Sequence, residues 1–90
     1  MNRPQALDLE HKQELLLLQK SFGERLRAVR HDKQMTLEQV AEGSGLHANY
    51  VGSVERGERN ISLYNIWRIA HSLRVDVYAL MLELPKRSAG

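Results

Sequence analysis

The stretch from Gly43 to Ser62 constrains the fold of this 90-residue chain more than any other part of the sequence. It begins with a glycine-flanked turn and continues as a short segment with helical periodicity. It ends near Gly57, where a left-handed residue is expected to stop a helix. One side of this helix is apolar, with Val51 and Val54. The opposite side is small or polar and consists of Ala48, Asn49, Gly52, Ser53 and Arg56. A side of this kind favours close contact with another surface, and the DNA major groove is such a surface.

Composition limits the chain to one small domain. Ninety residues, of which 42% are hydrophobic and 27% charged, provide one modest core. Cysteine is absent, which excludes disulfides and thiolate metal sites and fits a cytoplasmic location. The longest apolar run, Leu15 to Leu18, is too short to span a membrane, and the N-terminus lacks the pattern of a signal peptide.

The charge balance permits nucleic-acid binding without requiring it. The formal net charge is +2. Residues 21–35 carry four Lys/Arg against two acids, whereas residues 36–60 carry two Arg against four Glu. Nucleic-acid binding would therefore depend on where the basic residues lie and not on the net charge.

Apolar residues at helical spacing predict an all-α fold. The first stripe covers residues 7–29 and allows two interpretations. A single helix can span residues 8–33, or Ser21 can cap a second helix. Gly23 costs about 1 kcal/mol in a helix interior, which favours the break.

Later helices begin at recognisable N-caps. Thr36 and Gln39 have the spacing of a capping box. The N-caps of the next three helices are expected at His47, Ser62 and Asp76. The helix after Ser62 is expected to bury Leu63, Ile66, Ile69, Ala70 and Leu73. These features predict a helical extension over residues 1–20, a domain over residues 21–84 and a flexible tail over residues 85–90.

The two helices from Thr36 to Glu42 and from His47 to Arg56 have helix-turn-helix spacing. In these helices the sequence resembles the Cro/cI-like (XRE-type) DNA-binding domains of phage repressors and bacterial regulators. The matching segments are Phe22–Arg27, Met35–Ala41, Ser44–Leu46, Tyr50–Leu63 and Leu73–Val75. The small size and short final helix are similar to those of restriction–modification controller proteins. The resemblance implies a five-helix, lambda-repressor-like domain, here with an extra or extended N-terminal helix, that dimerises and places its third helix in the major groove.

The resemblance also implies roles for individual residues. The base-contacting positions are Ala48, Asn49 and Ser53. The phosphate-contacting positions are Thr36, His47, Tyr50, Arg56, Arg59 and Asn60. Arg30 and Glu55 match a pair that often forms a buried salt bridge between the first and third helices. Asn49 is the strongest base reader, because a carboxamide can bond adenine N6 and N7 together.

Two apolar segments are candidates for the dimer interface. The final helix provides Val77, Leu80, Met81 and Leu84, and the N-terminal helix adds Leu15 and Leu18. The histidines show no metal-ligand spacing, and no catalytic set is legible. We therefore expect no metal, no cofactor, no small-molecule ligand, no membrane contact and no enzymatic activity.

The sequence thus predicts a sequence-specific double-stranded DNA-binding transcriptional regulator that acts as a homodimer on an inverted-repeat operator. Two alternatives stay open. The leucine-rich N-terminal segment suggests an antitoxin-type regulator that also binds a protein partner. Leu37, Ala48 and the acidic balance of residues 36–60 favour a protein-interaction module that has lost DNA binding.

Overall fold

The computed structural model describes residues 8–87, and this part of the chain contains five helices and no strand. The helices are α1 (Leu9–Asp32), α2 (Leu37–Ser44), α3 (Ala48–Glu55), α4 (Leu63–Leu73) and α5 (Val77–Leu80). The predicted all-α fold is confirmed. The first seven residues of the predicted extension and the last three of the predicted tail lie outside the described residues.

The first helix is continuous over 24 residues, so the break favoured at Ser21 is wrong. Gly23 lies in its buried face, where α1 crosses the end of α3. A methyl group on Gly23 would lie 2.5 Å from the carbonyl oxygen of Glu55 and would also collide with the carbonyl oxygen of Val54. The glycine therefore permits close contact between two helices and does not mark a helix end.

The core lies between the C-terminal half of α1 and helices α2 to α5. Its fully buried side chains are Leu26, Val40, Val51, Val54, Ile69, Leu73 and Leu80. The N-terminal half of α1 extends away from this core and leaves Leu9, Leu16 and Leu17 exposed. No helix within residues 8–87 has the length and apolar character needed to cross a membrane.

Two leucines lie in environments that the sequence did not predict. Leu63 was expected in the core but is 73% exposed, because it is the first residue of α4 and lies on the outer side of that helix. Leu80 was expected in the dimer interface but is fully buried in the monomer. Helix α5 packs on α1 and α4, and Arg25 Nε donates to the Ala79 carbonyl over 2.8 Å. This packing directs the Leu80 side chain into the core.

The helix ends follow the predicted caps. Thr36 and Gln39 form both hydrogen bonds of a capping box, and Ser62 Oγ accepts from the Asn65 amide. Gly45 ends α2 with φ of 71°, which gives the left-handed turn between α2 and α3. His47 occupies the N-cap position of α3, but its side chain makes no capping hydrogen bond. The turn geometry therefore depends on Gly45 and not on a side-chain cap from His47.

Replacing Gly23 by alanine is expected to lower the free energy of unfolding by about 2 kcal/mol, the usual effect of an extra methyl group in a packed interior. The same change on an exposed helix surface would raise stability by about 1 kcal/mol. Urea denaturation measures the difference. Glu24→Ala, on the exposed side of the same turn, is the control and should change the midpoint little. An unchanged or higher midpoint for Gly23→Ala would show that α1 and α3 do not pack this closely.

Candidate nucleic-acid interface

A buried ion pair holds α3 against α1. Arg30 Nε donates to Glu55 Oε2 over 2.6 Å, and Arg30 Nη2 donates to Glu55 Oε1 over 2.9 Å. The two side chains are only 10% and 6% exposed. Arg30 Nη1 also donates to the Met35 carbonyl over 2.9 Å, which ties the pair to the chain before α2. The hydrogen bond with Glu55 raises the pKa of Arg30, so the guanidinium stays charged.

The first turn of α3 is the part of this helix that faces solvent. His47 and Asn49 are exposed there, and Ala48 is half-buried. Gly52 and Ser53, which were expected on the same open side, are buried. A methyl group on Gly52 would lie 3.2 Å from Arg56 Nη1 and 3.5 Å from Leu37 Cδ1 of α2, so these two side chains cover Gly52 in the second turn of α3. Among the three residues predicted to contact bases, only Asn49 is exposed.

Ser53 is 4% exposed and does not lie on an open surface. Its hydroxyl donates to the Tyr50 carbonyl over 2.6 Å and accepts from Arg59 Nε over 3.0 Å. Helical periodicity placed Ser53 on the polar side of α3, but it gave no information about the loop after α3. That loop returns across the helix and lays Arg59 over Ser53. Because Arg59 covers the Ser53 hydroxyl in the DNA-free protein, the base contact expected of Ser53 stays a prediction.

Tyr50 connects this loop to α4. The Arg59 guanidinium lies 6.0 Å from the centre of the Tyr50 ring, within the range of a cation–π contact. The Tyr50 hydroxyl accepts from Asn65 Nδ2 over 3.1 Å, which leaves the phenolic hydrogen available to donate outward. Asn65 was missed by sequence reasoning, because a contact across 15 residues between two helices has no local sequence signal.

Arg56 lies in the same loop but has a different partner. Its Nε donates to Glu58 Oε2 over 2.9 Å, and its Nη2 donates to Glu58 Oε1 over 3.3 Å. These hydrogen bonds raise the pKa of Arg56 and lower the pKa of Glu58, so both groups are charged at neutral pH. A phosphate contact by Arg56 would have to compete with this exposed ion pair.

Two further contacts fix the interface to the rest of the domain. Gln19 Nε2 of α1 donates to the Gly57 carbonyl over 2.9 Å, at a residue whose φ of +77° suits glycine. Arg68 of α4 donates to the carbonyls of Ser44 and Gly45 over 2.8 and 2.9 Å. The loop after α3 and the turn before it are therefore both held by hydrogen bonds from other helices.

The remaining predicted phosphate-contacting residues are exposed. Thr36 Oγ accepts from the Gln39 amide over 3.1 Å as the N-cap of α2, and its own hydrogen is free to donate elsewhere. Asn60 is exposed in the loop that carries Arg59. Within residues 8–87, no group of three or more histidine, aspartate or glutamate side chains is placed to hold a metal ion.

A short helix, a left-handed glycine turn and a second helix with an exposed first turn define a helix-turn-helix protein. A family model described as Helix-turn-helix matches residues 26–80, and the chain belongs to this family. The chain is accordingly a DNA-binding transcriptional regulator of the helix-turn-helix type, and its family is not one of enzymes.

The chain is similar to several controller proteins and regulators. It is 42% identical to control protein C.SmaI of Serratia marcescens over 60 residues, which are 67% of this chain and 71% of that protein. The crystal structure of the restriction-modification controller protein C.AhdI from Aeromonas hydrophila matches with a TM-score of 0.68 and 45% identity, over 69% of this chain and 94% of the other. A hypothetical transcription factor from Neisseria, NHTF, matches with a TM-score of 0.67 and 33% identity, over 90% and 87% of the two chains.

Replacing Glu55 by alanine is expected to lower the free energy of unfolding by about 3–5 kcal/mol, because Arg30 would be left buried without its counter-charge. The double variant Arg30→Ala/Glu55→Ala should lose less than the sum of the two single variants. Urea denaturation of the four proteins measures this coupling. Glu58→Ala removes the exposed carboxylate of the same segment and should leave the midpoint nearly unchanged. Strictly additive losses for Arg30 and Glu55 would contradict a coupled pair.

Proposed function

We propose that this regulator binds an inverted-repeat operator as a homodimer and controls transcription from it in the cytoplasm, as its similarity to controller proteins suggests. Each α3 would enter the major groove of one half-site. The observation that carries the proposal is the exposed first turn of α3 beside the Tyr50–Arg59 cluster. Both are held on a frame that is anchored to α1 and α4.

Asn49 is the proposed base reader. Its side chain is exposed in the first turn of α3, which is the part of a recognition helix that reaches base edges. A carboxamide can donate to adenine N7 and accept from adenine N6 at the same time. Ala48, half-buried beside it, offers only a methyl group, which suits contact with a thymine methyl. With one residue per half-site able to make a bidentate base contact, DNA shape and half-site spacing are expected to contribute to specificity.

The proposed phosphate contacts surround this turn. Arg59 supplies a guanidinium, and the Tyr50 hydroxyl has a hydrogen free to donate. Thr36, His47 and Asn60 are exposed polar residues at the N-terminus of α2, the N-terminus of α3 and the loop after α3. Arg56 can join them once it leaves Glu58. Phosphate contacts of this kind position a helix in the groove and make affinity depend on salt.

The proposed dimer interface is centred on α5 and the residues after it. Val77, Met81 and Leu84 are half-buried against the core, so each keeps some apolar surface for a partner. Tyr78 is exposed beside them. In α1, Leu15 is half-buried and Leu18 is exposed, and these leucines are proposed as a second, weaker contact. Leu80 is excluded because it is buried in the monomer.

The exposed leucines of α1 favour a second candidate function. Leu9, Leu16 and Leu17 lie on the part of α1 that extends beyond the core, and a protein partner could cover them. That would make the chain an antitoxin-type regulator. In that case, variants of these leucines would release the partner and leave both DNA binding and dimerisation intact.

Selection of bound fragments from a random DNA pool tests the function directly. The homodimer is expected to enrich an inverted repeat whose half-sites are centred about 34 Å apart, one turn of the duplex. Enrichment of isolated half-sites would contradict the dimer. A pool that stays unenriched would contradict sequence-specific binding.

With the selected duplex, Asn49→Ala is expected to reduce preference at one base position of each half-site by about 5- to 150-fold, the effect of losing a bidentate base contact. Arg59→Ala is expected to weaken all sequences alike and to reduce the slope of log affinity against log salt by about 0.9 for each phosphate released. Fluorescence anisotropy at several salt concentrations measures both. Lys12→Ala removes an exposed charge from the outer half of α1 and should leave the slope unchanged. If Asn49→Ala and Arg59→Ala have the same effect, the assignment of roles is wrong.

Tyr78→Glu is expected to raise the dimer dissociation constant about 30-fold, the effect of losing an interface residue worth about 2 kcal/mol. Leu18→Glu should have a smaller effect, because α1 is the secondary contact. Both side chains are exposed in the monomer, so neither change disturbs the core. Sedimentation equilibrium measures the constants. A larger effect from Leu18→Glu would place the main interface on α1.

A further inference from the structure

We propose that Ser53 is a positioning residue for DNA binding, and that its hydroxyl holds the Arg59 guanidinium ready for a phosphate. This inference rests on the proposed function. It assigns to Ser53 a role through Arg59 and not a contact with DNA of its own.

The hydroxyl of Ser53 both donates and accepts a hydrogen bond. Its single hydrogen is donated to the Tyr50 carbonyl over 2.6 Å, inside the same helix. That bond fixes the rotation of the hydroxyl and leaves its lone pairs facing other donors. One of them accepts from Arg59 Nε over 3.0 Å. Since Ser53 is 4% exposed, water has little access to compete for this oxygen.

The Arg59 side chain is held at two places. Ser53 fixes the Nε end, and the Tyr50 ring lies 6.0 Å from the guanidinium carbon. The ring is fixed in turn, because Asn65 donates to its hydroxyl over 3.1 Å. Within residues 8–87, neither terminal nitrogen of Arg59 donates to a protein acceptor. Arg59 is exposed, so the fork formed by Nη1 and Nη2 is accessible, and its geometry matches two phosphate oxygens.

Arg56 is the internal comparison. It lies three residues earlier in the chain, but Glu58 takes both its Nε and its Nη2. A carboxylate partner also cancels the charge that a phosphate would meet. The serine hydroxyl is neutral and occupies only Nε, so both terminal nitrogens of Arg59 stay available, and Glu58 acts on Arg59 through space without a hydrogen bond. Of these two arginines, Arg59 is the one whose terminal nitrogens are available to bind an anion.

Holding a long side chain in its bound orientation reduces the entropy lost on binding. For one arginine this is expected to change affinity by about two- to tenfold per half-site. Ser53→Ala should weaken DNA binding by this factor when Arg59 is present. It should have no further effect in the Arg59→Ala background, because there is then no guanidinium to position.

The experiment measures the affinity of the full chain for the selected duplex by fluorescence anisotropy in Ser53→Ala, Arg59→Ala and the double variant. Salt dependence separates the two roles. Ser53→Ala should keep the wild-type salt slope, because Arg59 can still reach a phosphate, whereas Arg59→Ala should lower it. Ser44→Ala is the matched control. Its buried hydroxyl donates to the Ala41 carbonyl over 3.1 Å in the same intrahelical pattern but accepts from no arginine. The backbone carbonyl of Ser44, which accepts from Arg68, is retained in the variant, so loss of the hydroxyl should leave affinity unchanged.

A measurement without DNA completes the test. In the free protein, the Nε–H resonance of Arg59 should shift on Ser53→Ala and stay unchanged on Ser44→Ala. The proposal is overturned if Ser53→Ala binds as tightly as the wild type, or if it weakens binding equally with and without Arg59. Wild-type protein that binds no duplex would instead sink the proposed function itself.

Discussion

The buried Arg30–Glu55 ion pair fixes how α3 lies on α1, and the geometry of the interface depends on it. Each of the two buried charges is stabilised only when it is paired with the other. Because two hydrogen bonds join them, only a narrow range of orientations of α3 on α1 keeps the pair intact. Gly23 adds a steric condition at the same crossing, because only the absence of a side chain lets the end of α3 reach the backbone of α1. One electrostatic contact and one missing methyl group together set the position of the proposed recognition helix.

The same pair changes the electrostatics of the DNA-binding surface. Residues 36–60 contain four glutamates and two arginines, a balance that opposes contact with phosphates. In the folded chain Glu55 is neutralised by Arg30 from outside this segment, and Glu58 is paired with Arg56. Arg59 is held by a neutral hydroxyl and keeps its charge. Counting Arg30 with Glu55 changes the net charge of the segment from −2 to −1, so the acidic balance is a weaker sign against DNA binding than the sequence alone suggests.

Features with a local cause were predictable from the sequence. The capping box at Thr36, the Ser62 cap and the left-handed Gly57 depend on neighbours within a few residues, and all of them occur in the structure. The errors concern contacts between distant segments. The burial of Ser53 depends on a loop that returns over α3, and the burial of Leu80 depends on how α5 packs on α1 and α4. Helical periodicity identifies the side of a helix on which a residue lies, but it does not identify what covers that side.

The central claim is that the first turn of α3 and the loop after it form the DNA-binding surface. A titration of ¹⁵N-labelled protein with the selected duplex, followed by amide chemical shifts, tests this claim most directly. The account predicts that the largest shifts occur at the start of α2, at residues 47–50 and at residues 56–60. Shifts confined to the outer half of α1 or to the exposed face of α4, with α3 unchanged, would contradict it.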